Sequence, residues 1–152
     1  TEIIPCARKV ASMWHYTTQK PSGDWNKPAF NDAVWNQGCG SFGTTGTPGA
    51  VVRTKWSSED IWLRREITLP TTSCTNLQFY VHHDEDVEIY VDGILAASEP
   101  GFTTDYVSME IKPKALELLK PGAKVVLALH CHQTVGGQNV DVALVNVVNP
   151  EQ

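Results

Sequence analysis

Two histidines near the carboxyl end belong to the richest set of ligand-binding side chains in the chain. His130 and His132 are two residues apart in 124–132, where apolar residues occupy alternate positions. In a β-strand both imidazoles project from the same, polar face, and the Gly-Gly turn that follows brings Gln138 near them. Such groups can read the hydroxyls of a ligand, hold a metal ion or satisfy the backbone of an ordinary turn, and the sequence leaves these alternatives open.

A second cluster places five ionisable residues in succession, from His82 to Asp86. Carboxylate oxygens suit Ca²⁺, and imidazoles suit transition metals. The spacing is not that of a calcium-binding loop, and neighbouring residues of a strand point to opposite faces, so at most alternate members converge. The alternatives are a cation site and a solvated strand crossing in which one of the aspartates, Asp84 or Asp86, pairs with Arg64 or Arg65.

Aromatic side chains concentrate in the first 62 residues, which hold all five tryptophans. Exposed indoles stack on the flat C–H faces of sugar rings, whereas polar neighbours bind the sugar hydroxyls. We expect Trp14 and Trp56 to contact a glycan in this way. The alternative is that the indoles are structural and fill the core.

The elements that must position these groups are β-strands. Apolar and polar residues alternate in most segments after residue 60, and Asp92-Gly93 favours a tight hairpin turn. We expect a meander through 61–97 and an all-β antiparallel sandwich. The predicted strands are 61–69, 77–81, 87–91, 94–97, 106–111, 124–132 and 140–148.

One or two short helical connections complete the predicted sandwich. Residues 113–120 begin with Pro and are followed by Pro-Gly, which predicts a two-turn helix with Leu116 and Leu119 on the core. Residues 31–36 could form a single helical turn. Residues 36–50 hold five glycines and predict an irregular loop.

Length and charge narrow the classes of partner. The chain has 152 residues and a formal net charge of -5, and we expect one domain over 1–152 that is a piece of a longer protein. No dense Lys/Arg run is present, so we expect no nucleic-acid partner. No apolar run approaches the roughly 20 residues that cross a bilayer, so we expect no membrane insertion. The four scattered cysteines predict thiols, with Cys131 buried.

Six segments in order along the chain carry a family resemblance. They are Trp25, Phe30–Trp35, Gly40–Gly43, Asp60–Arg65, Asp86–Gly93 and Leu118–Gly122. Together they resemble the N-terminal sugar-binding domain of glycoside hydrolase family 2 enzymes such as β-galactosidases, over about Trp25 to Leu144. The chain is also similar to accessory jelly-roll domains of large secreted bacterial hydrolases of the glycosidase and glutaminase-A-like types.

The resemblance implies a galactose-binding-like jelly roll in a periplasmic or extracellular protein. In family 2 enzymes the catalytic glutamates lie in a separate barrel domain, so the resemblance implies no catalytic residue and no catalytic cofactor here. It implies that Trp25, Trp35 and Trp62 are structural. It also allows a structural calcium ion, for which His82–Asp86 is the candidate segment.

We therefore expect a noncatalytic, carbohydrate-binding-type accessory module of a larger bacterial hydrolase. The expected ligand contacts are Trp14, Trp56, His130, His132 and Gln138, with the glycine-rich loop after Asn36 as one wall. One alternative is a structural spacer that packs against a catalytic domain. Another is an enzyme fragment with its own activity, although no nucleophile motif is present.

Overall fold

Two six-stranded β-sheets make up the fold of the protein, of which the computed structural model describes residues 2–148. A single helix, α1 (Pro113–Leu116), connects β10 to β11. The strands are β1 (Glu2–Ile4), β2 (Met13–Thr17), β3 (Asn36–Cys39), β4 (Phe42–Gly43), β5 (Thr54–Lys55), β6 (Asp60–Thr68), β7 (Leu77–Asp84), β8 (Asp86–Val91), β9 (Ile94–Glu99), β10 (Val107–Glu110), β11 (Lys124–His132) and β12 (Asn139–Asn146).

The first sheet has the order β10-β7-β12-β4-β5, and β1 pairs with β12 further along the edge that β4 occupies. The second sheet has the order β3-β2-β6-β11-β8-β9. Among the described strands every pair is antiparallel except β4 with β5. The predicted antiparallel β-sandwich of the jelly-roll type is therefore confirmed.

Alternation along the central strands builds the core. Leu63 on β6 and Leu129 on β11 are each 1% exposed, and Phe79 and Leu144 of the first sheet are fully buried. Removal of these apolar faces from water is the main driving force for stacking the two sheets. Cys131 is buried in the same layer, as predicted, and its burial raises the pKa of the thiol.

The predicted meander through 61–97 is wrong. Strand β6 pairs with β2 and β11, whereas β7 lies in the other sheet between β10 and β12. Alternation tells which side of a strand is buried, but it does not tell which strand is its neighbour. The β8–β9 hairpin is confirmed, and its turn has Asp92 at φ 48° and Gly93 at φ 83°, the left-handed conformation such a turn requires.

The connection before β11 is also shorter than predicted. Helix α1 is a single turn, in which Ala115 is fully buried. Leu119 is buried as expected, but Leu116 is 40% exposed. Because successive helical residues are rotated by about 100° about the axis, the burial of Ala115 turns Leu116 away from the core.

Two segments at the amino-terminal half differ from expectation as well. Residues 32–35 form a tight turn rather than a helical turn, closed by the N–H of Trp35, which donates to the Asp32 carbonyl over 2.9 Å, and Asn36 already begins β3. Residues 36–50 contain β3 and β4, because pairing with β2 and β12 supplies hydrogen bonds that the glycine-rich composition did not predict.

Arg64 fastens a long segment, residues 18–35, across the outer face of the second sheet; we call this segment the covering loop. The guanidinium is buried and donates to the Asp32 carboxylate over 2.9 Å. It also donates to the carbonyl oxygens of Trp25, Lys27 and Phe30 over 2.7, 2.8 and 3.2 Å. One side chain thus satisfies four groups of a loop that has no strand or helix of its own.

The expected pairing of Arg64 or Arg65 with an aspartate of the 82–86 segment is wrong. Arg64 pairs with Asp32, and the Arg65 guanidinium lies 5.3 Å from the centre of the Trp14 ring. Burial lowers the pKa of Arg65.

Among residues 2–148, α1 is the only helix. No helix in this range is long and apolar enough to span a bilayer.

Replacing Arg64 tests its anchoring role. Arg64→Leu leaves Asp32 Oδ2 and the covering-loop carbonyls without their donor, although His15 still contacts Asp32 Oδ1, and we expect it to lower the free energy of unfolding by about 3–5 kcal/mol. Urea unfolding followed by tryptophan fluorescence measures the loss. Lys124→Ala is the control, because Lys124 and its partner Glu66 are largely exposed and the change should be below about 1 kcal/mol. Equal losses in the two variants would contradict the role.

Candidate functional site

Strand β11 brings the two predicted histidines to the outer face of the second sheet, between β6 and β8. Its antiparallel register sets His132 opposite Asp60 on β6 and His130 opposite Glu88 on β8. We call these four side chains the histidine patch. The prediction that both imidazoles share one face, opposite the apolar residues of β11, is confirmed.

Hydrogen bonds link all four members of the histidine patch. His130 donates from Nε2 to Asp60 Oδ1 over 2.8 Å and from Nδ1 to Glu88 Oε1 over 3.0 Å. His132 donates from Nδ1 to the same Asp60 oxygen over 2.8 Å. The His130 ring also stacks on the Trp62 indole, with centroids 4.8 Å apart and planes 4° from parallel. Carboxylates only accept, so His130 makes both bonds when each ring nitrogen carries a proton.

The bonds shift the pKa values of the patch. The bond to Asp60 raises the pKa of His132 against the opposing effect of desolvation. Burial raises the pKa of Asp60, but the bonds from the two imidazoles outweigh it, so that this pKa lies below its ordinary value of 3.8. Asp60 is therefore held ionised and His132 is held protonated to a higher pH than usual.

A groove of about 410 Å³ opens beside the patch, between β8, β9 and β11. Its walls include Glu88, Glu99, His130 and His132. The side chains of Glu88 and His132 are 45% and 40% exposed, so both can reach a ligand while they keep their bonds within the patch. Planar acceptors beside N–H donors suit a ligand with several hydroxyl groups.

The expected indole platform is wrong for both tryptophans. Trp14 and Trp56 are 3% and 1% exposed. The Trp56 indole N–H donates to the Ser58 hydroxyl and to the Asp60 carbonyl, each over 3.2 Å, while Trp14 packs in the core below Arg65. Rings enclosed by the sandwich have no face for a sugar, and their burial follows from the large apolar area of indole.

Gln138 is a structural residue rather than an open ligand contact. It is 5% exposed, and its amide donates to the Ser58 carbonyl over 2.9 Å. Its backbone N–H donates to the Thr47 hydroxyl over 3.1 Å. These bonds tie the start of β12 to the glycine-rich loop and to the start of β6. The glycine-rich loop does not line the groove of the histidine patch.

The histidines of the 82–86 segment are enclosed as well. His82 is fully buried, donates from Nε2 to the Pro48 carbonyl over 2.7 Å and accepts at Nδ1 from the Asn139 amide over 2.8 Å. Burial lowers the pKa of His82. His83 is also fully buried and donates to the Glu85 carbonyl over 2.6 Å. Neither ring is solvated, as a crossing at the surface would require.

The carboxylates of this segment do not fit the calcium ion that the resemblance allowed. Asp86 accepts from the N–H of Gly101 over 2.7 Å, and Glu85 accepts from the Thr134 hydroxyl. The oxygens of Glu85 and Asp86 thus serve separate partners instead of converging on one ion, as Ca²⁺ coordination demands. Within residues 2–148 no group of three or more His, Cys, Asp or Glu side chains is arranged to hold a metal.

Asp60 and Glu88 are the patch members that the sequence did not single out. Asp60 lies at the start of β6 and Glu88 lies on β8, and both side chains point outward. A carboxylate is a common residue on the exposed face of a strand, so neither position stands out in the sequence. Their importance comes from the register of β6 and β8 against β11, which brings them to the two histidines from 70 and 42 residues away.

Comparisons with known proteins bear on the fold. A glycosyl hydrolase family 2 member from Bacteroides cellulosilyticus matches with a TM-score of 0.60 and 13% identity, over 88% of this chain and 20% of its own. A β-glucuronidase from glycoside hydrolase family 2 matches with a TM-score of 0.59 and 14% identity, over 90% and 17%. The chain has the fold of one part of these enzymes.

A third solved structure gives the same result. A β-glycosidase from Bacteroides vulgatus matches with a TM-score of 0.56 and 14% identity, over 90% of this chain and 20% of its own. The chain thus spans about a fifth of the length of the structures it matches, and the family 2 resemblance is confirmed at the level of fold. No family model and no curated protein matches the sequence.

Removing the shared carboxylate tests the coupling within the patch. We expect Asp60→Asn to lower the pKa of His132 towards its ordinary 6.5, because the amide no longer favours the imidazolium. A proton NMR titration of the His132 ring measures the midpoint, and the remote Lys124→Ala variant is the control. An unchanged midpoint in Asp60→Asn would contradict the coupling.

The same coupling predicts how the stability changes with pH. The raised pKa of His132 stabilises the fold below 6.5, and this contribution is lost as the pH rises through the folded-state value. The lowered pKa of Asp60 stabilises the fold above 3.8, and this contribution is lost as the pH falls through its folded-state value. The melting temperature of wild type should therefore fall as the pH rises through the folded-state pKa of His132 and as the pH falls through that of Asp60. In Asp60→Asn both of these pH dependences of the melting temperature should be lost.

Proposed function

We propose that the domain is a noncatalytic accessory module of a larger bacterial glycoside hydrolase and binds carbohydrate at the histidine patch. The open groove that exposes Glu88 and His132 carries the proposal. The fold, shared with about a fifth of the family 2 structures, supports a catalytic domain of the parent protein as the structural partner. A periplasmic or extracellular location follows from the same proposal, since polymeric glycans are met there.

The chemistry of the patch argues against bond cleavage. Glycosidases use one carboxylic acid whose pKa is raised and a second carboxylate free to act as base or nucleophile. Here the pKa of Asp60 is lowered, and Asp60 and Glu88 both accept bonds from His130. The pair is therefore suited to accept hydrogen bonds and unsuited to donate a proton to a leaving group.

Hydrogen bonding would carry most of the binding energy. None of the five tryptophans is exposed, since Trp14, Trp56 and Trp62 are buried and Trp25 and Trp35 are half-buried. Each hydroxyl contact must offset the loss of water from both partners, so the net gain per contact is only about 1 kcal/mol. We expect affinities weaker than those of domains with an open indole platform.

A glycan array tests binding, with His132→Ala and Glu88→Gln as the site variants. We expect the wild-type chain to bind and each variant to bind about tenfold less, because a hydrogen bond from or to a charged group is lost. Lys124→Ala, at the other end of β11, should bind like wild type. Chromogenic glycosides should release no chromophore with any of these proteins. Turnover by wild type would overturn the noncatalytic assignment.

A second candidate function, a structural spacer, is favoured by the withdrawal of the indoles from solvent. A spacer needs no ligand groove and packs its exposed apolar side chains against the neighbouring domain. It predicts that the array stays blank and that the isolated chain self-associates in light scattering. Binding that depends on His132 would count against it.

A further inference from the structure

A second concavity, of about 280 Å³, lies at the end of the sandwich where β7 ends and β12 begins. Seven other residues line it together with the glycines at 136 and 137, and we call it the loop pocket. Among them are Pro48, Asp84, Phe102 and Val135. Pro48 belongs to the glycine-rich loop, the segment predicted to form one wall of a ligand site.

Phe102 presents an aromatic ring to this pocket from a fixed backbone. The residue is 62% exposed, although its backbone bridges to Asp84 at the end of β7. The next residue, Thr103, donates its N–H to the His83 carbonyl over 2.7 Å, which fixes the backbone on the other side. Val135, across the pocket, is 76% exposed. None of the five indoles offers an exposed aromatic ring on a fixed backbone, whereas Phe102 does. Such a ring can stack on the C–H face of a sugar.

Asp84 supplies an acceptor that lacks a donor. The residue is only 7% exposed, and among residues 2–148 no hydrogen bond reaches its carboxylate. Desolvation, followed by the neighbouring charge of Glu85, raises the pKa of this carboxyl. The Asp84 oxygens are not among the fully enclosed side-chain atoms, so water reaches them, and a ligand hydroxyl can take the place of that water as donor. A Cβ at position 137 would lie 3.3 Å from Asp84 Oδ2, so glycine there keeps the carboxylate accessible.

The charges around the pocket select against anionic ligands. Glu85 lines the loop pocket beside Asp84, and Asp86, Glu88 and Glu99 line the adjacent groove of the histidine patch. In the described part of the chain neither lining contains Lys or Arg. In the loop pocket itself, whose lining also lacks His, a carboxylate or sulfate would meet Asp84 and Glu85 at short range without a counter-charge.

We propose that the loop pocket binds one uncharged pyranose ring of a glycan, with Phe102 stacked on the ring and Asp84 accepting from its hydroxyls. This inference rests on the proposed function and adds a second subsite and a ligand class to it. The two subsites are neighbours, since Glu85 faces the loop pocket while the next residue, Asp86, faces the groove. An oligosaccharide can therefore reach both across the chain at residues 85–86.

The test uses an array of matched oligosaccharides, each neutral glycan paired with the form oxidised to a carboxylate at C6. The wild-type chain, Phe102→Ala and Asp84→Asn are compared, with Val34→Ala as control because Val34 is 93% exposed and lies in the covering loop. We expect wild type to prefer the neutral members by at least about tenfold, a ratio that a few like charges produce.

The variants should separate the two contacts. Phe102→Ala should weaken binding of neutral glycans by about tenfold through loss of stacking. Asp84→Asn should narrow the difference between neutral and oxidised members, because the nearest negative charge is removed. Val34→Ala should match wild type. Circular dichroism and the melting temperature confirm that each variant is folded.

Each other outcome is decisive. Equal binding of neutral and oxidised glycans, or full binding by Phe102→Ala, would overturn the assignment of the loop pocket. If binding still depended on His132 in that case, the proposed function would stand. A blank array with the folded wild-type chain would overturn both proposals. A loss in Val34→Ala equal to that in Phe102→Ala would also overturn the assignment.

Discussion

The pairing of β11 with β6 on one side and β8 on the other determines both the core and the histidine patch. The inward residues of β11, among them Leu127 and Leu129, fill the layer between the sheets, while His130 and His132 face outward. The strand cannot shift by one residue without exchanging these two sets of side chains. The register that builds the core therefore also fixes the carboxylate and imidazole atoms of the histidine patch within hydrogen-bonding distance.

The indoles of Trp14 and Trp56 and the Arg64 guanidinium are buried, so the proposed carbohydrate contacts are made by other side chains. The sandwich encloses Trp14 and Trp56, and the covering loop, fastened by Arg64, spreads over the outer face of the second sheet. The end of the sandwich where β7 and β11 finish remains open. Polar side chains of the patch and the ring of Phe102 are exposed there, which is why both proposed subsites lie at this end.

Local sequence patterns predicted the strands and the outward face of His130 and His132, because alternation and burial depend on near neighbours in the chain. The same patterns could not pair β6 with β11 or join Arg64 to Asp32, since those contacts cross 32 residues or more. The prediction placed Trp14 and Trp56 wrongly on the surface, because residue type does not distinguish a buried indole from an exposed one. Phe102 was passed over because a single aromatic residue after Pro-Gly carries no periodicity.

Amide chemical shifts during titration with a neutral oligosaccharide show whether this end of the sandwich binds uncharged carbohydrate. We expect concentration-dependent shifts at Gly101, Gly136 and His132, while Gly122, in the turn that precedes β11 at the opposite end, stays unchanged. Shifts centred on Gly122, or none at any amide with millimolar glycan, would contradict this expectation.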